Sequence, residues 1–134
     1  MTSLFSRIIS GEIPCYKVAE NEVALAFLDI RPLAKGHTLV VPKKEVDKLF
    51  ELDKATYLAL WDFAQTVAVA LESVIPCNRI GVTVIGLEVP HAHIHLVPIR
   101  GEGDLNFALP KLQLEPAEMQ SIAEKIAEAM HSMA

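Results

Sequence analysis

VPHAHIHLVPIR, residues 89–100, carries His91, His93 and His95 at strict two-residue spacing, interleaved with Ala92, Ile94 and Leu96. In an extended strand successive side chains point to opposite faces, so the three imidazoles share one face and the three apolar residues pack into a core. In a helix, residues two apart lie about 200° around the axis, and the shared face is lost. The stretch therefore reads as a strand, "HAHIHLVPI", displaying three rings at intervals of about 6.6–7 Å. Such a row is too polar to bury without partners.

Outward from this strand, "RIGVTVIGLEV" (residues 79–89) reads as a second β-branched strand, with Gly86 and Pro90 marking the connection. The segment from Asp53 towards Pro76 repeats apolar residues at three and four positions (Tyr57, Leu60, Trp61, Ala64, Val67, Ala68, Leu71), which predicts an amphipathic helix with Asp53 as N-cap. "HTLVVP" reads as a strand stopped by Pro42, after the loop "RPLAKGH". Residues 16–29 predict a hairpin turning at "EN", and Leu4, Phe5, Ile8 and Ile9 predict a short helix that stops at Gly11 and Pro14. After a loop from Gly101 to about Leu114, a last helix starts at Pro116, with Met119, Ile122, Ala123, Ile126 and Met130 on its apolar face. Strand runs with helices inserted or appended, without regular alternation, indicate an α+β domain on a mainly antiparallel sheet.

At 134 residues the chain is expected to form one domain, residues 1–134, with a C-terminal extension and helix over about 101–134. A composition 51% hydrophobic and 22% charged is that of a folded globular chain. The net charge of −5, with basic residues clustered only in pairs such as Lys43-Lys44, argues against a nucleic-acid polymer as partner. Two cysteines, Cys15 and Cys77, give no disulfide framework, and no apolar run approaches the roughly 18 residues of a membrane span. The N-terminus, interrupted by Ser6, Arg7, Ser10 and Glu12, lacks the apolar stretch of a signal peptide. A cytoplasmic protein that does not engage a membrane is the expectation.

Three chemistries suit three imidazoles on one face. A half-exposed strand with histidines on its outer side is the plainest. Two imidazoles from one strand can also reach a single metal ion, with His37 or Glu88 as a further ligand. The third is nucleophilic catalysis: a neutral ring attacks through one nitrogen while the other donates its proton to a fixed acceptor, and its neighbours donate to phosphate oxygens and to the departing group.

"HAHIHLVP" resembles the signature of the histidine triad family, in which three histidines alternate with apolar residues. "LFSRIISGEIP" (4–14) is similar to the family's first helix and turn, "LAFLDIRPLAKGHTLVVPKK" (25–44) to its nucleotide-facing hairpin and loop, and residues 53–75 to its central helix. The resemblance implies an α+β, HIT-like fold, usually a homodimer with one sheet continuous across both subunits. It further implies a nucleotidyl hydrolase or transferase, acting on phosphoramidates or dinucleotides through a nucleotidyl-histidine intermediate, with no redox cofactor and no obligatory metal. By the same resemblance His93 is the nucleophile, His95 contacts the phosphate and assists proton transfer, His91 orients His93, and His37 completes the cluster. Asp29 matches the acid that holds the ribose hydroxyls; Phe5, Ile8, Phe27 and Ile30 match the apolar walls around the base of a purine mononucleotide or nucleotide conjugate, and Glu88 and Val89 fall on the nucleotide side. Taken as isolated residues, Phe5, Ile8, Phe27 and Ile30 read more readily as core, and Asp29 also reads as a turn former before Arg31-Pro32.

Two departures stand out. The loop "TVIGLEVPH" is shorter than the family's, with Leu87 and Glu88 where Gln and Ser or Thr supply phosphate donors; an ionised Glu88 accepts hydrogen bonds and gives none. This raises a nucleotide-binding or regulatory module with weak or no turnover as the alternative, and a metal-dependent hydrolase using the histidine row as a third. Ser3, Ser6 and Glu45 stand where some bacterial members carry the cysteines and histidine of a structural zinc site, and hydroxyls are poor zinc ligands. The segment "RGEGDLNFALPKLQLEP" reads as a surface connection, with Asn106 or Lys111 available to shape the leaving-group side.

Overall fold

The structure, a computed structural model, describes residues 2–133, so the two end residues of the expected 1–134 span lie outside the described residues. Its elements are α1 (Leu4–Ile9), β1 (Lys17–Glu20), β2 (Ala24–Leu28), β3 (Thr38–Pro42), α2 (Lys54–Val74), β4 (Arg79–Thr83), β5 (Ile94–Ile99) and α3 (Pro116–Ser132), with single 3-10 turns at Leu49–Glu51 and Glu102–Asp104. The strands form one five-stranded sheet in the order β1-β2-β3-β5-β4, each neighbouring pair antiparallel. The expected α+β class and antiparallel sheet are what the chain adopts.

The sheet's two faces follow from the strands' alternation. Ala24, Ala26, Leu28, Val40, Ile94 and Leu96 face the layer made by α2 and α3 and join the main core with Leu60, Val67, Leu71 and Ile126. Leu25, Phe27, Leu39 and Val41 point the other way and are covered by Phe5 of α1, forming a smaller core on the histidine side. Asp53 caps α2, its carboxylate accepting from the Thr56 N–H at 3.1 Å. Gly36, at φ +87°, turns the chain into β3 against α2; a Cβ there would stand 2.8 Å from Ile75 Cγ1 and 2.9 Å from Leu71 Cδ1.

Two strands are shorter than the sequence reading. The expected strand over residues 79–89 ends at Thr83, and "HAHIHLVPI" joins the ladder only at Ile94, leaving His91 and His93 ahead of it. Pro42 has no N–H, so β3 cannot carry the ladder further. Its carbonyl is taken instead by the ring of His91 at 2.8 Å, and the Ala92 N–H turns to the Val46 carbonyl at 2.7 Å. The backbone of β4 then parts from its neighbour and runs into the loop containing Gly86, at φ +76°.

Candidate active site

All three histidines of the row, with His37, are buried, and each has a defined partner. His37 is placed by β3 and its loop: the Leu33 N–H donates to His37 Nδ1 at 3.0 Å. A backbone N–H can only donate, so in the neutral ring the proton sits on Nε2. That nitrogen lies 3.0 Å from His95 Nδ1 and donates to it, which leaves the proton of His95 on its own Nε2. Burial holds His37 at about 4, helped by the positive charge of Lys111. Burial also holds His95 at about 3, with His37 and His93 adding to the effect, so both rings are neutral near pH 7.

His93 has the opposite polarity. Its Nδ1 lies 2.7 Å from the His91 carbonyl, which can only accept, so Nδ1 carries the proton and Nε2 keeps a lone pair. Burial lowers its pKa too, the bond to the His91 carbonyl opposing that shift. The His93 and His95 rings meet edge to face, their centres 4.9 Å apart, with His93 just ahead of β5 and His95 within it. An acceptor nitrogen and a donor nitrogen therefore stand on neighbouring rings.

His91 is turned away from this pair and ties three parts of the chain together. Its Nε2 donates to the Pro42 carbonyl, and its Nδ1 lies 2.7 Å from Ser3 Oγ, which in the neutral ring donates to it. Ser3 Oγ also accepts from the Ser6 N–H, capping α1. Glu45 closes the cluster by accepting from the Ser3 N–H at 2.7 Å and the Ser6 hydroxyl at 2.6 Å, bonds that hold its carboxyl at about 2. The positions that matched a zinc site thus form a hydrogen-bonded clip here. By fixing α1, the clip sets Phe5 edge-on to His93 at 4.9 Å.

His93 and His95 open onto a cavity of about 580 Å³. Phe5, Ile8, Phe27, Asp29, Ile30, Glu88 and Val89 all line it, together with Leu39, Phe107 and Lys111. Phe5 and Phe27 serve both readings at once, being buried in the small core and lining the cavity. Ile30, which follows β2, lines the cavity from its rim and is 74% exposed. Leu87 is 90% exposed and Glu88 is exposed, so the short loop sets their side chains at the mouth. His91 and His37 do not line the cavity.

Asp29 accepts from the Arg31 N–H at 2.9 Å, with its other oxygen 3.7 Å from His37 Nε2, and burial raises its pKa. Ligand atoms of Asp29, His37 and His95 lie within 4.8 Å of one another, the one cluster suited to a metal ion among the described residues. The facing nitrogens of His37 and His95 already share a proton, so an ion bound to both at about 2.0–2.1 Å requires that proton to leave.

Sequence reasoning missed the clip, Leu39 and Phe107. Leu39 was legible as the cavity-side position of an alternating strand; Phe107 and the clip bridge segments far apart in the chain and leave no local signal. Asn106 does not line the cavity; it accepts from the Ala108 N–H and shapes a turn.

Residues 10–102 match the family model described as the HIT domain. The chain is 33% identical to adenosine 5'-monophosphoramidase hnt1 of Schizosaccharomyces pombe, over 94% of this chain and 96% of that protein. It is 36% identical to protein hit of Bacillus subtilis, over 96% of this chain and 94% of that one. Among solved structures, a Hit-like protein involved in cell-cycle regulation from Bartonella henselae superposes with a TM-score of 0.82 at 31% identity, covering 96% of both chains.

Proposed function

This chain belongs to the HIT domain family, and on that premise we propose that it hydrolyses or transfers a nucleoside monophosphoryl group through a covalent intermediate on His93. The observation that carries this reading is the 2.7 Å bond from His93 Nδ1 to the His91 carbonyl, which leaves the Nε2 lone pair on the ring that lines the cavity. In the first displacement Nε2 forms a bond to phosphorus while the bond to the leaving nitrogen or oxygen breaks. The leaving group takes the proton of His95 Nε2 as that nitrogen takes another from a water in the cavity, so the ring stays neutral. In the second, that water, now hydroxide, attacks phosphorus and the phosphorus–Nε2 bond breaks. The His91 carbonyl and the nearby charge of Asp29 stabilise the ring as it becomes cationic.

Asp29 is the proposed acceptor for the ribose hydroxyls, and Phe5, Ile8, Phe27 and Val89, with Ile30 at the rim, the apolar surround of the base. The relative named as an adenosine 5'-monophosphoramidase supports an adenylyl phosphoramidate as substrate. A second copy of the chain is the proposed partner: β4 ends the sheet with one edge open, and Val82, Val84 and Ile85 beside it are exposed. No helix among the described residues is long and apolar enough to cross a membrane.

Incubation with adenosine 5'-phosphoramidate, followed by phosphorus NMR, tests the reading; conversion to mononucleotide is expected. In His93→Ala turnover is expected to vanish while mononucleotide affinity stays within about tenfold, or about 1.4 kcal/mol. Equal turnover by that variant contradicts the assigned nucleophile. The exposed Leu87 and Glu88 at the mouth, which offer no side-chain donor to a phosphate, favour a second reading, a nucleotide-binding module; retained affinity without product supports it.

A further inference from the structure

We infer that Lys111, on the segment between β5 and α3, is an anion-binding residue of this site that takes a phosphoryl oxygen of the bound mononucleotide. The inference rests on the nucleotide reading above and adds a residue beyond the matched family span, which ends at residue 102.

The segment is not a loose connection. Phe107 packs edge-on against His95 at 4.8 Å and against His37 at 6.0 Å, so one ring contacts both histidines. The Leu112 N–H donates to the Pro32 carbonyl at 2.9 Å, fastening the segment to the loop that leads into His37. Between these anchors the Lys111 ammonium donates to the Phe107 carbonyl at 2.5 Å and the Leu109 carbonyl at 3.1 Å, and lies 5.8 Å from the Phe107 ring centre. An ammonium has three protons, and these bonds use two. Lys111 makes no ion pair with a carboxylate among the described residues. The third N–H belongs to a half-buried cation, held in place, on the wall of the cavity that His93 and His95 share.

The site has need of such a charge. Neutral His37 and His95 bring polarity but no net charge to a phosphoryl group, and the loop before the histidines offers Leu87 and Glu88. Arg31, the other cation lining the cavity, is exposed, and water screens its charge. The field of Arg31 is felt at Asp29, whereas that of the half-buried Lys111 is felt at both Asp29 and His37, lowering the proton affinity of each. A charged hydrogen bond of this kind outweighs a neutral one, and its loss is expected to lower affinity by about tenfold or more.

Calorimetric titration of the full chain with adenosine 5'-monophosphate and with adenosine tests this, comparing wild type, Lys111→Met and Lys111→Arg. The expected result is that Lys111→Met weakens the mononucleotide about tenfold or more and leaves the nucleoside within about twofold, while Lys111→Arg restores most of the loss. Unchanged mononucleotide affinity in Lys111→Met, or equal loss of both ligands, overturns the role of Lys111 and leaves the nucleotide reading standing. A wild-type chain that binds neither ligand overturns both.

Discussion

His37 Nε2 lies 3.0 Å from His95 Nδ1, and because the Leu33 N–H occupies the other nitrogen of His37, the proton between the two rings belongs to His37. A backbone amide thus decides, through two rings, that His95 offers a proton to the cavity. His37 touches no ligand in this arrangement; it is a positioning residue.

Replacing His37 separates position from bulk. His37→Gln keeps an acceptor for Leu33 and a donor for His95, whereas His37→Phe keeps neither. We expect His37→Phe to lose about 10²-fold in kcat, the lower end of what a positioned general acid supplies, and His37→Gln to lose much less. Nitrogen NMR of His95 checks the cause: Nδ1 is expected unprotonated in wild type and His37→Gln, and a mixture of tautomers in His37→Phe.

The buried neutral rings make stability depend on pH. His37 and His95 are held at about 4 and about 3 in the folded chain, against 6.5 when exposed. Between these values the unfolded chain binds more protons, so stability rises with pH and levels off above about 6.5. Glu45 and Asp53, both held at about 2, act lower, in the carboxylate range. The melting temperature is therefore expected to fall as pH drops from 6.5 to 4.5, with a shallower fall in His37→Gln. A flat profile across that window contradicts the neutral cluster.

The Ser3 hydroxyl joins two tasks, capping α1 and donating to His91. Ser3→Ala removes the cap and leaves His91 Nδ1 with only Ser6 Oγ at 3.4 Å. Urea unfolding is expected to show a loss of about 1–2 kcal/mol, the usual range for a lost cap or a buried group left unpaired. Because α1 carries Phe5 against His93, KM for the phosphoramidate is expected to rise as well.

How much of this was legible in the sequence follows the range of each interaction. Alternation in residues 91–96 fixed which side chains face the core, and Ala92, Ile94 and Leu96 are buried there. The same alternation did not disclose that His91 and His93 lie outside the ladder, because that depends on Pro42, a residue of another strand that lacks the N–H to continue it. Phe5, Ile8, Phe27 and Asp29 could be named for the cavity by resemblance, while the dual service of Phe5 and Phe27 as core and wall needed the packing of α1 on the sheet. The clip joining Ser3, Ser6, Glu45 and His91 spans up to 88 positions in the chain, and hydroxyl and carboxylate groups at such separation carry no periodic signal. Lys111 lay in a segment with turn-like composition, where nothing local tells a cavity wall from a surface connection.

The central claim is that phosphorus passes through a bond to His93, and stereochemistry at phosphorus tests it most directly. A nucleoside thiophosphoramidate of one configuration, hydrolysed in isotopically labelled water, reports how many in-line displacements occurred, since each inverts the centre. Two displacements, by His93 and then by water, are expected to give net retention. Net inversion means that water attacked the substrate directly, and contradicts the account.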